Sequence, residues 1–176
     1  QGKFVLADGG TRFEQVTGHL GDTIVQVQGG LSGGPESVFQ EFIIRANGDA
    51  GHIVRFVPSK MIPVGMFEGL LSGAVQLSGA TTAPHVRGNL VLTDSKVVVP
   101  NAIEKPVGAP AVLEFEGNLT RANTATVTRV ELLLPSVRIP VKGAIQLGEK
   151  FSIDATLATG ELSLSGLPEW IAKGGF

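Results

Sequence analysis

Apolar and polar residues alternate with a period of two along much of the second half of the chain. In Leu113-Glu114-Phe115-Glu116-Gly117-Asn118-Leu119-Thr120 the odd positions are apolar or Gly and the even positions are polar. Val137, Ile139, Val141, Gly143, Ile145 and Leu147 share one parity; Ser136, Arg138, Lys142 and Gln146 share the other. Phe151, Ile153, Ala155 and Leu157 alternate with Ser152, Asp154 and Thr156. Successive side chains of a strand point to opposite faces, so each segment predicts a strand with one dry and one wet face. That pattern belongs to antiparallel sheet with one side in water.

The first third alternates less cleanly. Thr23, Val25 and Val27 oppose Ile24, Gln26 and Gln28, whereas Phe39 and Ile43 oppose Val38, Phe42 and Ile44, which predicts a strand buried on both sides. Residues 51–57 predict a further strand, with Ile53 and Val57 opposite Val54 and Phe56. Turn chemistry falls at Asp8-Gly9-Gly10, Gly29 to Pro35, Asn47-Gly48-Asp49, Asn101 to Pro110 and Gly148-Glu149-Lys150. Helix is scarce: Ser165 to Lys173 suits one short helix, with Pro168 near its first turn and Gly174 after its end. Spacing predicts roughly ten to eleven strands.

A repeating phrase runs through this pattern. Residues 69–99 contain two strand-like runs punctuated by Gly69, Gly73, Gly79, Pro84 and Gly88. Similar punctuation returns at Gly117-Asn118-Leu119, Pro140 to Leu147 and Gly160 to Gly166. Repetition of one strand-and-turn unit predicts an elongated β structure more than a unique catalytic pocket.

Composition narrows the function classes. The 176 residues suit one domain. The 24 Gly and 10 Pro lie between apolar runs, which favours turns over disorder. A formal net charge of −2 with scattered Lys and Arg gives no electrostatic case for nucleic acid or for an anionic membrane surface. Zero cysteines excludes disulfides and thiolate metal sites. No apolar run approaches the ~18 residues needed to cross a bilayer. The chain starts at Gln1 without a signal peptide and reads as a piece of a longer protein, with any anchor or export signal outside it.

Candidate chemistry is thin. His19, His52 and His85 are far apart and lack ligand spacing. Glu114 and Glu116 share a face, and paired carboxylates can serve glycoside hydrolysis; their parity equally marks the solvated side of an amphipathic strand. Gly29-Gly30-Leu31-Ser32-Gly33-Gly34-Pro35 lacks the Lys-Ser/Thr and the following helix of a phosphate loop. No GxSxG elbow or HExxH occurs. Asn118-Leu119-Thr120 fits a glycosylation sequon, and Trp170 suits docking of the short helix by its apolar face. The expectation is a chain with no catalytic group, no cofactor and no metal.

Leu71-Ser72-Gly73-Ala74-Val75-Gln76-Leu77-Ser78-Gly79, then Pro84, then Gly88-Asn89-Leu90-Val91-Leu92-Thr93-Asp94-Ser95-Lys96-Val97-Val98-Val99-Pro100 resembles the repeating phrase of the AsmA-like superfamily, which includes TamB and YhdP. Glu131-Leu132-Leu133-Leu134-Pro135, the Gly143-to-Leu147 strand, Phe151 to Leu157, and Leu162, Leu164 and Leu167 continue it. The resemblance spans about residues 69–176 and rests on Gly, Pro and aliphatic positions.

It implies an all-β, elongated, largely antiparallel sheet folded over like a taco around an apolar interior, with a short C-terminal helix. It also implies a periplasmic location within an inner-membrane-anchored protein, and a groove that conducts phospholipid between inner and outer membranes in support of outer-membrane biogenesis. Membrane contact would come through regions outside this chain, and an outer-membrane assembly factor is an implied partner. The groove lining would be Leu71, Val75, Leu77, Leu90, Leu92, Leu113, Phe115, Leu119, Val137, Ile139, Val141, Ile145, Leu147, Phe151, Ile153, Leu157, Leu162 and Leu164. Each methylene removed from water contributes ~0.8 kcal/mol, so phospholipid acyl chains need no specific polar contact there.

Two alternatives stand beside it. One is a structural or interaction module for outer-membrane protein assembly whose sheet edges receive a partner strand. The other is a carbohydrate-active enzyme built on Glu114 and Glu116. Alternation is the same for an open groove and a closed core and does not choose between them.

Overall fold

The computed structural model describes residues 1–7, 9–34, 36–54, 67–99, 103–119, 125–135, 137–146, 152–157 and 168–172. Twelve strands occur among them: β1 (Lys3–Ala7), β2 (Gly10–Leu20), β3 (Thr23–Ser32), β4 (Val38–Asp49), β5 (Phe67–Ala80), β6 (His85–Val91), β7 (Ser95–Val99), β8 (Ile103–Lys105), β9 (Val112–Leu119), β10 (Ala125–Leu133), β11 (Arg138–Gln146) and β12 (Ser152–Leu157). The class is all-β. Every strand pair is antiparallel. Ten strands follow almost sequential order, β1-β2-β3-β4-β5-β6-β9-β10-β11-β12. Among the described residues helix is confined to α1 (Ala50–Val54) and the four residues of α2 (Glu169–Ala172). The other residues of the expected 165–173 helix lie outside the described residues, apart from Pro168, which precedes α2.

The irregular alternation of the first third has a specific cause. Gln15 in β2 and Glu41 in β4 have positive φ, 51° and 47°. Each marks a register shift against β3. A bulge inserts one residue and reverses the parity beyond it. Phe39 and Phe42 therefore face the same way, with ring centroids 5.3 Å apart. Phe42 also meets Phe13 edge to face at 5.6 Å. The strand predicted to be buried on both sides is instead a two-faced strand with a bulge: Ile43 lies among polar side chains, beside Arg45 and Gln76.

Other expectations are corrected. Residues 50–54 are helical, not strand: Asp49 Oδ1 accepts the His52 N–H at 3.2 Å, an N-cap that starts α1. Residues 55–57 lie outside the described residues. Asn47-Gly48-Asp49 is the end of β4, not a turn. A Cβ on Gly48 would come within 2.5 Å of Thr23 Cα, so close strand approach explains that glycine. Gly29 and Gly30 belong to β3, and the segment Asn101 to Pro110 contains β8. The strand count exceeds the expected ten to eleven; β1 and β8, with five and three residues, are too short to show a period.

Strand β5 leaves the main sheet at its start. Its Phe67–Gly69 end pairs with β7, while Ser72–Ser78 pairs with β6. Gly69 has φ +96°, and a Cβ there would lie 2.6 Å from Asp94 O. Ser95, fully buried, donates its hydroxyl to Leu70 O at 2.7 Å. Lys105 is 1% exposed, and its ammonium donates to Ser95 O, Pro106 O and Thr93 O at 2.8, 3.0 and 3.3 Å. The Lys105 bonds use all three ammonium protons and hold β8 to β7 and the turn before it, while the Ser95 hydroxyl ties β7 to β5. A core of Ala50, Leu71, Leu92, Val97, Ala111, Leu134 and Ile139 lies under this excursion, with Trp170 of α2 packed against it.

Replacing Lys105 with Met should lower stability by about 1–3 kcal/mol by removing the donor to three carbonyls. Burial holds the Lys105 pKa below 10.5, with Asp94 opposing the shift. Between that lowered value and 10.5 the unfolded chain binds more protons than the folded one. The stability advantage of the wild-type chain over the Lys105→Met variant should therefore grow as pH rises through that window, and shrink as pH falls through the lowered pKa. Urea unfolding of both proteins across the alkaline range checks magnitude and sign.

Candidate functional site

Directly opposed residues of an antiparallel pair share a face, so the registers define rows across the sheet. The row nearest the covered rim runs Thr23, Gly48, Leu71 and on to Leu92, whose N–H donates to Ala111 O at 2.8 Å. The next runs Gly18, Val25, Ala46, Gly73, Leu90, Leu113, Leu132 and Ile139. The third runs Val16, Val27, Ile44, Val75, Gly88, Phe115 and Val130, and the Cα register carries it on to Val141 and Leu157. The fourth holds Phe42, Leu77, Val86 and Gly117.

Burial divides this face. Leu71, Leu92 and Ile139 belong to the core under α1, β7–β8 and α2, with Leu90, Leu113, Leu132 and Val137 packed against it. Every residue of the third row from Val16 to Val130 is half-buried. This row has no polar member across nine strands.

Its one gap is filled by a neighbour. A Cβ on Gly88 would sit 2.5 Å from Phe115 Cζ, because the Phe115 ring lies over that glycine. Leu90 covers Gly73 in the same manner, with Cδ2 2.8 Å from the Cβ position. Gly73 and Gly88, which punctuate the sequence phrase, are thus strand-interior seats for larger side chains and not turns.

Of the predicted lining residues, Val75, Leu77, Leu90, Leu113 and Phe115 share this face, as do the more deeply buried Leu71, Leu92 and Ile139. Val137 precedes β11 on the same parity. Leu119 ends β9, exposed. Ile145 pairs with Ile153 in register. Leu147, Phe151, Leu162 and Leu164 lie outside the described residues. The predicted lining followed the resemblance over residues 69–176 and so left out Val16, Val25, Val27, Phe42 and Ile44; within that span it also omitted Val86, Val130 and Leu132.

The opposite face is polar. Arg45, Gln76, Arg87, Asn89, Glu114, Glu116 and Arg129 line a depression of about 270 Å³. Glu116 lies 3.2 Å from His85 Nε2, and Asn118 Oδ1 lies 3.3 Å from His85 Nδ1. Arg129 bonds Glu131 at 2.6 Å, and that bond raises its pKa. Glu114 sits opposite Glu131 in the register. No group of three or more His, Asp or Glu side chains among the described residues is placed to hold a metal ion. No helix among them is long and apolar enough to cross a membrane.

No protein-family model, curated protein or solved structure matches this chain.

Proposed function

We propose that the apolar face binds phospholipid acyl chains, and that the chain is a section of a folded-over, AsmA-like β groove with an apolar interior. The observation that carries the reading is the third row, apolar and half-buried from Val16 to Val130. At a strand spacing of about 4.8 Å, these seven strands span roughly 29 Å. One leaflet of a bilayer core is about 15 Å deep, so the row exceeds the length of a single tail. A tail laid along it exchanges water for Val, Ile and Phe side chains, while its head group stays outside.

In this reading the protein has no catalytic role, and α2 closes part of the groove. The groove works in the periplasm within an inner-membrane-anchored protein, passing phospholipid towards the outer membrane. The resemblance of residues 69–176 supports that placement, and the continuity of the apolar face through β2 to β4 extends it to the first third.

Uptake of a fluorescent phospholipid by the purified chain, with native mass spectrometry of the bound species, tests the proposal. Val75→Asp should reduce uptake at least tenfold, about 1.4 kcal/mol, with the circular dichroism spectrum unchanged. Gln76→Asp, on the polar face, should leave it within twofold. No uptake by the wild-type chain, or equal losses in the two variants, would count against the groove.

A further inference from the structure

The polar face carries a row of its own. Directly opposed residues run Gln28, Ile43, Gln76, Arg87, Glu116 and Arg129, from β3 to β10. The depression of about 270 Å³ covers the β4 to β10 part of this row. A second depression, of about 730 Å³, takes in Arg12, Gln15, Gln28 and Glu41 at the other end. Ile43 and Gln76 line both, so the two form one trough. Gln15 and Glu41 are the bulge residues with positive φ. A bulge re-aims a side chain, and both bulges serve this trough.

Much of its hydrogen-bonding capacity is unspent. Among the described residues, the side chains of Arg12, Gln15, Gln28, Glu41, Gln76 and Arg87 make no hydrogen bond or ion pair. The charges are interleaved: Glu41 shares the larger depression with Arg12, and Glu116 stands between Arg87 and Arg129 in the register. A polyanion or a polycation laid here meets like charge along its length. Ile43 is the one apolar member of the row, too little for a lipid tail. An extended peptide bonds a sheet through an edge, not a face. The trough therefore suits an uncharged chain dense in donors and acceptors, with small apolar patches, which describes an oligosaccharide.

Spacing narrows the sugar. Gln28 and Gln76 stand two strands apart with Ile43 between them, about 9.6 Å. In an extended β-1,4-linked glycan alternate rings face the same way, so like substituents recur at a closely similar interval. A carboxamide side chain both donates to and accepts from an acetamido group. We propose that this trough binds a β-1,4-linked glycan of N-acetylated hexosamines. Gln28 and Gln76 bond acetamido groups on alternate rings, Ile43 packs on the apolar side of the ring between them, and Arg87 donates to hydroxyls of the next. No aromatic side chain belongs to the row, so binding is weak, with a dissociation constant on the order of 1 mM. The site lies on the face opposite the third row and stands whether or not that row takes lipid.

Titration of the purified chain with the β-1,4-linked tetramer of N-acetylglucosamine, followed by amide NMR, tests the proposal. The side-chain amide resonances of Gln28 and Gln76 should shift and saturate. Gln28→Ala/Gln76→Ala should weaken binding at least tenfold, through the loss of both carboxamides. Gln26→Ala, an exposed position of β3 on the neighbouring row, should stay within twofold. The β-1,4-linked glucose tetramer, which has no acetamido group, should bind at least fivefold more weakly. Val75→Asp, on the apolar face, should bind the sugar as the wild-type chain does. No saturable shift up to about ten times that dissociation constant, equal affinities of the double variant and the wild type, or equal affinities for the two tetramers would overturn the proposal.

Discussion

Replacing Ile139 with Asp should lower the stability of this chain by about 4 kcal/mol, while Arg138→Asp, one residue away, should change it by less than about 0.5 kcal/mol. Ile139 is 8% exposed and belongs to the core under the β7–β8 excursion. Arg138 is exposed. The penalty at position 139 combines a lost apolar side chain with a carboxylate that has no partner among apolar neighbours. Burial would raise the pKa of that carboxyl, so the folded variant holds its proton to higher pH than the unfolded one. Its deficit should then shrink as pH falls towards about 4, the unfolded value, and widen as pH rises through the raised pKa. Denaturant midpoints of the three proteins at two pH values provide the measurement. A deficit at 139 no larger than at 138 would mean that the covered rim is not a packed core. Because Ile139 carries stability, half-buried Val75 is the better probe of lipid uptake.

Gly88→Val should cost about 3 kcal/mol, because two neighbours occupy the space a side chain needs. The Phe115 ring tip lies 2.5 Å from the Cβ position and Ala74 O lies 2.7 Å from it. The ring can swing away, but the carbonyl belongs to a paired strand and moves only with the backbone. A double-mutant cycle with Phe115→Ala separates the two parts. The ring's share should appear as a coupling of at least about 1 kcal/mol, since the valine clashes less once the ring is gone. Additive losses would show that the ring does not rest on Gly88.

Most of the sheet was legible in the sequence, for identifiable reasons. From Leu113 to Ile139 the strands have one wet and one dry face, and the dry parity survives in the register from Phe115 to Val130 and from Leu113 through Leu132 to Ile139. Periodicity failed where the backbone departs from a strict period of two. Gln15 and Glu41 each add a residue, and neither Gln nor Glu announces a left-handed conformation. Glycine was ambiguous for a related reason: Gly69 meets a backbone bend, Gly48 a close strand approach, and Gly88 an aromatic ring, and all three look alike in the sequence. The β7–β8 excursion was hidden in part because Lys105, which binds β8 to β7 through Ser95 O, is a residue type that usually reads as solvent-exposed.

The near-sequential order of the strands has a consequence for how this chain can vary. Each strand bonds its immediate neighbours, and among the described strands β6 and β9 are the one neighbouring pair in the main order that is not consecutive in the chain. Such an array is close to one-dimensional, so its free energy is a sum of local terms. Opening should start at the ends and move inward, with amide exchange slowing towards the middle strands. Adding or deleting one hairpin would change the length of the array by about 9.6 Å and leave the remaining contacts as they are. Length then becomes a heritable dimension in its own right, adjustable without altering the residues that make up each row of the sheet.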